Sequence, residues 1–157
     1  MSKPKILELE EIIKKMQTNM ALYENKEISY SHTGDNKYLK EPIRFSQSRG
    51  NGAGLTFKNN AIEIGTGIKH INIKGIANLK HSESDGRIGF LYIFLNGAQI
   101  CGNCTEMKNM NPYIITTYKD YVEVKEGDLV QLYVAIDNAN FKTVGNTETQ
   151  LTVQVVD

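Results

Sequence analysis

Apolar and polar residues alternate along most of the chain, and the clearest instance is Tyr121 to Ile136, YVEVKEGDLVQLYVAI. Val122 and Val124 alternate with Glu123 and Lys125, the period of a half-buried strand. Glu126-Gly127-Asp128 breaks the run, because glycine accepts the positive φ of a tight reversal. Val130, Leu132, Val134 and Ile136 then share one face, with Leu129, Gln131, Tyr133 and Ala135 on the other. The pattern predicts strand, turn, strand near the centre of a β domain.

The same period recurs on both sides. Leu55 and Phe57 precede an Asn59-Asn60 turn, and Ile62 and Ile64 follow it. Gly65-Thr66-Gly67 is a break, after which Ile71 and Ile73 form an apolar face continued by Ile76 and Leu79. Ser82 to Gly86 reads as a turn. Phe90 to Leu95 is apolar on both faces, with Phe90, Tyr92 and Phe94 opposite Leu91, Ile93 and Leu95. Such a strand is central or covered by a neighbouring chain. Asn96-Gly97 is a strong hairpin signal. Ile114, Ile115 and Tyr118 lead into the central stretch, Asp137 to Gly145 reads as a polar loop, and Leu151, Val153 and Val155 end the chain. About eight strands with closely spaced turns argue for an antiparallel sandwich or jelly roll.

The N-terminal segment has a different period. Ile6, Leu9, Ile13, Met16, Met20 and Tyr23 recur at alternating spacings of three and four, an a/d stripe. The spacing predicts a helix from Lys5 to about Tyr23, with Glu10 and Glu11 each four residues before a lysine. Such a helix either packs on its own domain or joins identical subunits as a short coiled-coil stalk, since alone it is too short to persist. Residues 25–54 are polar and rich in Gly and Asn; Ile28-Tyr30-His32 and Ile43-Phe45 suggest edge strands. RGNGAG at Arg49–Gly54 lacks the Gly-Lys-Ser/Thr of a phosphate loop and reads as a surface loop. The expected organisation is a helix or oligomerisation stalk over 1–24, a linker with irregular strands over 25–54, and a β head over 55–157.

Composition narrows the function. Lys plus Arg and Asp plus Glu both number 18, so the concentrated positive charge of a nucleic-acid binder is missing. A chain of this length buries about 70% of its unfolded surface and needs no disulfide framework. No apolar run is long enough for a membrane helix, and the charged N-terminus does not read as an export signal. Synthesis in a cytoplasm is expected.

Candidate chemistry is sparse. Cys101-Gly102-Asn103-Cys104 is a lone C-x-x-C without further ligands at zinc spacing, and reads as two ordinary thiols in a loop after a strand. No nucleophile elbow, zincin or kinase pattern occurs, so no enzyme, metal or cofactor is expected. Asp128 reads as turn chemistry. Tyr113, Tyr118, Tyr121 and Tyr133 suit a subunit interface or a carbohydrate or protein partner.

Four ordered pieces then resemble the jelly roll of the tumour-necrosis-factor and complement-globular-head superfamily. They are Ile62-Glu63-Ile64 with Ile68 to Ile76, Leu91 to Gly97, Val124 to Val130, and Leu151-Thr152-Val153. The resemblance implies a mostly β, antiparallel jelly-roll head, a homotrimer packed on apolar and aromatic faces, and an N-terminal rod. Here the helix would replace a collagen stalk. Proteins of this type are common in bacteriophage particles as fibre, decoration or baseplate parts, and the Lys-, Asn- and Ile-rich composition fits a virus of a low-GC bacterium. The implied role is a non-enzymatic virion structural protein that attaches to other virion proteins by its stalk and displays its head. Ile6, Leu9, Ile13, Met16, Met20, Tyr23, Tyr92 and Phe94 would hold the subunits together. The loops Lys80–Arg87, Gly102–Pro112 and Asp137–Thr147, with Ser84, Asp85, Arg87, Asn109, Tyr113, Asn138 and Asn140, would meet a host-surface glycan or protein. A bacterial lectin-like adhesin and a β-sandwich or cupin-type enzyme are the rival readings.

Overall fold

The structure, a computed structural model, describes residues 6, 8–10, 20–24, 27–30, 42–49, 54–137, 139–145 and 148–157, with the backbone alone at 20–24, 27, 28, 30 and 47–49. Twelve strands lie among the described residues: β1 (Met20–Glu24), β2 (Glu27–Tyr30), β3 (Gln47–Arg49), β4 (Leu55–Lys58), β5 (Ala61–Ile64), β6 (His70–His81), β7 (Arg87–Leu95), β8 (Ala98–Met107), β9 (Tyr113–Glu123), β10 (Leu129–Ile136), β11 (Phe141–Val144) and β12 (Gln150–Val155). All pairings are antiparallel. One sheet runs β2-β11-β6-β12-β1-β3, with β9 on the other side of β6; the second runs β4-β5-β10-β7-β8. The architecture is mostly β and sandwich-like.

The central stretch folds as its pattern predicts. Val130, Leu132, Val134 and Ile136 are fully buried between the sheets, where they meet Leu91 and Ile93 of β7 and Ile71, Ile73 and Leu79 of β6. Ile76 belongs to the opposite face of β6 and is only half-buried, because its even number puts it with His70, Asn72 and Lys74. Gly75 sits under Leu132, whose Cδ1 occupies the space a Cβ would need.

Three turns carry positive φ at the expected residues. Asn59 and Asn60 lie at φ 51° and 63° between β4 and β5, and Asn96 and Gly97 at 52° and 79° between β7 and β8. Asparagine and glycine are the residues that tolerate this conformation in two-residue hairpin loops. Gly127 lies at φ 88°, and its N–H donates to Ile64 O at 2.7 Å.

Several expectations are corrected. The helix expected as far as Tyr23 is shorter, since Met20–Glu24 is a strand paired with β12 and β3. Ile6 and Glu8–Glu10 are helical; Ile13 and Met16 lie outside the described residues. Five paired positions of an antiparallel ladder, Met20↔Gln154 to Glu24↔Gln150, outweigh a local helical period that no described contact supports. The polar segment 25–54 contributes β2 and β3 to the same sheet as β6 and β12. Ile43 and Phe45 are buried, but they lie in an irregular segment anchored by Ile43 N–H to Leu132 O at 2.8 Å and Phe45 N–H to Asn60 Oδ1 at 3.2 Å. Of the RGNGAG segment, residues 50–53 lie outside the described residues. The loop expected over Asp137–Gly145 contains β11, whose Phe141 and Thr143 are buried. The loop expected after Asn96-Gly97 is a ten-residue strand that includes both cysteines.

Candidate functional site

The long axis of the sandwich separates two ends. At one end lie His70, the start of β6, and Asp157, whose carbonyl accepts the N–H groups of Lys69 and His70. β1 starts here too, because Met20 pairs with Gln154. At the other end of β6, roughly 36 Å away for twelve extended residues, lie His81 and the turns that follow β6, β8 and β10.

At that far end the three expected binding loops converge on one cleft of about 630 Å³. Its described lining is Ser29 from β2, Lys80, His81 and Ser82 from the end of β6, Met110 and Asn111 from the β8–β9 turn, and Asn140, Phe141 and Lys142 from β11 and its approach. A hydrogen-bonded frame holds these pieces. Glu83 N–H donates to His81 Nδ1 at 3.2 Å, so the ring proton sits on Nε2, which donates to Met107 O at 3.1 Å. Ser82 N–H donates to Asn140 O at 3.3 Å. Asn109 Oδ1 accepts the Asn111 N–H at 2.9 Å, and Tyr113 Oη accepts the Lys108 N–H at 3.1 Å. Asn109 and Tyr113 therefore shape the turn, while Asn111 and Met110 face the cleft. The β8–β9 loop is shorter than the expected Gly102–Pro112, since β8 continues to Met107.

The remaining expected loop residues divide. Ser84 is exposed, and Asn138 lies outside the described residues. Asp85 pairs with Arg87 at 2.7 Å, and Glu83 is 3.9 Å from the same guanidinium. The hydrogen bond from Arg87 holds the Asp85 carboxyl below its usual range, and the same bond raises Arg87 further. This trio is satisfied internally and is not part of the cleft lining. Lys80 and Lys142 lie in two of the expected loops, but local sequence gave no reason to single them out; the alternation in Phe141-Lys142-Thr143-Val144 is the signal that marks Lys142 as a strand residue.

A second surface lies on the outer face of β9, the edge strand of the larger sheet. Ile114, Tyr118 and Tyr121 are 62, 68 and 60% exposed. Ile114 and Tyr118 have the same parity; Tyr118 pairs with Lys74 of β6, which pairs on its other side with Thr152. The face dips there into a depression of about 310 Å³ lined by Asn72, Lys74, Tyr118, Asp120, Thr152 and Gln154. The register slips between Ile71 and Ile73, and Tyr121 takes φ 52°. Its N–H donates to Asn72 Oδ1 at 2.8 Å, and its ring stacks on His70 at 4.0 Å between centroids. His70 Nδ1 lies 2.6 Å from Asp157 Oδ1.

The expected interface aromatics on β7 behave differently. Phe94 is 3% exposed and is covered by Tyr133 of its own chain at a centroid distance of 4.1 Å. Its apolar area is already hidden, so it is not an oligomerisation surface. Tyr92 is half-buried, with Phe90 and Phe94 beside it and Gly102 closely opposed. Tyr113 and Tyr133 are likewise not part of the exposed face.

The cysteines do not form a joint site within the chain. Cys101 Sγ lies 3.4 Å from Thr117 Oγ1, a buried residue of the facing strand, while exposed Cys104 pairs across from Phe90 on the other side of β8. Among the described residues no three His, Cys, Asp or Glu side chains come together as a metal site. No described helix is long and apolar enough to cross a membrane.

The strand order and the two-sheet arrangement define a jelly roll of the tumour-necrosis-factor type, and comparison with solved structures supports that class. The chain is similar to the Eiger tumour necrosis factor of S. frugiperda, with a TM-score of 0.62 and 9% identity over 88% of this chain and 92% of that one. It is similar to murine APRIL at pH 5.0, with a TM-score of 0.58 and 12% identity over 87% and 98%. No protein-family model matches the sequence, and no curated protein matches it. At such identities the likeness establishes the fold alone.

Proposed function

We propose that the chain is a non-catalytic assembly and adhesion protein, a homotrimer that meets on the outer face of β9 and serves as a fibre, decoration or attachment part of a bacteriophage particle. The observation that carries the trimer is the apolar edge: β9 is eleven residues long, lies at the margin of its sheet, and presents Ile114 and Tyr118 on one face. A long exposed edge with large apolar side chains is a template for association unless another chain covers it. Copies related by a closed rotation axis would cover one another's edges without forming filaments.

The N-terminal segment supports the mode of attachment. Ile6 and Leu9, three residues apart on helical backbone, are 70 and 59% exposed. They supply an apolar stripe for the corresponding segments of two partners or for another virion protein. The chain enters β1 at the end of the sandwich opposite the cleft. That polarity suits a head held by its N-terminus with the cleft turned outward. The phage setting rests on composition and on the resemblance of the fold, and the protein would be made in the host cytoplasm.

Light scattering on the full chain tests the assembly. A trimer mass is expected, and a monomer at micromolar concentration overturns it. Mass spectrometry of purified particles tests the setting: the chain is expected among the virion proteins, and its absence from them overturns that part.

A further inference from the structure

The β7–β8 turn holds a dipeptide with chemistry of its own. In Asn-Gly the nitrogen after the asparagine is not screened by a side chain, and it can attack the asparagine Cγ. Asn96 and Gly97 take φ 52° and 79°, and both residues are exposed. Nothing lies within 4 Å of where a Gly97 Cβ would stand. Neither steric bulk nor exclusion of water therefore protects the pair.

The neighbouring turn does. Asn96 Nδ2 donates to Asp128 Oδ1 at 2.8 Å, Asn96 Oδ1 accepts the Leu129 N–H at 2.9 Å, and the Asn96 N–H donates to Leu129 O at 2.9 Å. Asp128 is buried, and its Oδ2 is fixed by the Lys125 N–H. Ring closure must turn the amide plane of Asn96 toward Gly97 N. That rotation breaks both side-chain bonds, one of them to a charged acceptor. The residue pair that suits a two-residue hairpin loop is thus also a reactive site. It is restrained by a carboxylate 32 positions away in the sequence.

We infer that Asn96-Gly97 is a self-modification site gated by Asp128, and that its reaction makes parting of the β7–β8 and β9–β10 turns irreversible. When the turns part, Gly97 N gives up its proton and bonds to Asn96 Cγ. The Cγ–Nδ2 bond breaks, and Nδ2 takes up a proton and leaves as ammonia. Water then adds to either carbonyl of the succinimide ring and opens it to aspartate or isoaspartate. No electron transfer is involved. Either product sets a carboxylate against Asp128 where an N–H donor stood, and two carboxylates at such a distance repel one another. The isoaspartate also lengthens the backbone of a two-residue turn. The junction does not re-form as it was.

Incubation of the full chain in mildly alkaline buffer, with and without guanidinium chloride, tests the gate. Peptide mapping by mass spectrometry follows Asn96 separately from Asn51-Gly52, the other such dipeptide in the sequence. Conversion in the folded chain should be slower by about a hundredfold, as for a reaction through a local opening that gives up a charge-assisted and a neutral hydrogen bond. Asp128→Ala, kept below its own melting temperature and checked by circular dichroism, should convert about tenfold faster than the parent chain. Asp128→Asn, which keeps the shape and drops the charge, makes the same test where the alanine variant does not fold. Thr66→Ala removes a hydrogen bond to Glu126 in the same turn without touching Asn96, and should leave the rate unchanged. Asn96→Asp, the straight-chain product, should melt at a lower temperature than the parent. Equal rates in folded and unfolded chains overturn the inference, as does a folded Asp128 variant that converts no faster. An Asn96→Asp chain as stable as the parent overturns the irreversibility.

Discussion

Asn96 and Asp128 join two turns that are separate in sequence. Asn96 Nδ2 donates to Asp128 Oδ1 at 2.8 Å, and Asn96 Oδ1 accepts the Leu129 N–H at 2.9 Å. Asp128 Oδ2 accepts the Lys125 N–H at 2.9 Å, so the buried carboxylate closes its own turn while it holds the β7–β8 hairpin. Asp128→Ala should destabilise the fold by about 2–4 kcal/mol, since a hydrogen-bonded charge is lost and two donors are stranded. A double-mutant cycle with Asn96→Ala, followed by urea melts, should give a coupling of about 1 kcal/mol or more. Strict additivity would show that the two turns are independent.

Gly75 meets the core side chain Leu132 at the contact between the sheets. Gly75→Ala should cost about 1–3 kcal/mol by overpacking, and adding Leu132→Val should return part of that stability. Thermal melts of the two variants decide the matter; a double variant less stable than Gly75→Ala alone would rule out relief of crowding.

Tyr118 and Ile114 should govern the mass of the particle in solution. Tyr118→Glu combined with Ile114→Glu places charges on the exposed face of β9, where covering them in an interface costs several kcal/mol. The expected result is a folded monomer by light scattering, with circular dichroism unchanged. An intact trimer would mean that the subunits meet elsewhere.

Asp85 and Arg87 give a pH effect of definite sign. The Arg87 hydrogen bond holds the Asp85 pKa below 3.8, so the pair contributes above that value and its contribution fades as pH falls through the depressed pKa. Arg87→Gln should move the Asp85 titration upward toward 3.8 when followed by NMR. Asp85 is exposed to solvent, and global stability at neutral pH should change little.

Cys104 is exposed and Cys101 half-buried against Thr117. Iodoacetamide should modify Cys104 first in the native chain, and zinc should not slow it, because the two sulfurs lie on opposite sides of β8. Equal protection of both thiols by zinc, read by mass spectrometry, would contradict the strand geometry.

Alternation alone identified Val130, Leu132, Val134 and Ile136 as one core face, and residue type alone placed the reversals at Asn59-Asn60, Asn96-Gly97 and Gly127. These are local properties: the side-chain period follows from strand geometry, and positive φ follows from side-chain sterics. The order of the four jelly-roll pieces also pointed to the fold. Tertiary structure decided the rest. Met20 and Tyr23 continue a helical period, yet Met20–Glu24 lies between β3 and β12, since pairing depends on partners distant in sequence, those on β12 more than a hundred residues away. Phe94 alternates like an interface residue but is covered by Tyr133, a neighbour that only strand order supplies. Lys80 and Lys142 come to stand opposite each other because β6 and β11 share a register, and Cys101 and Cys104 form no joint site because their strand turns them apart. Local spacing determines which way a side chain faces; what it faces is set by contacts between distant parts of the chain.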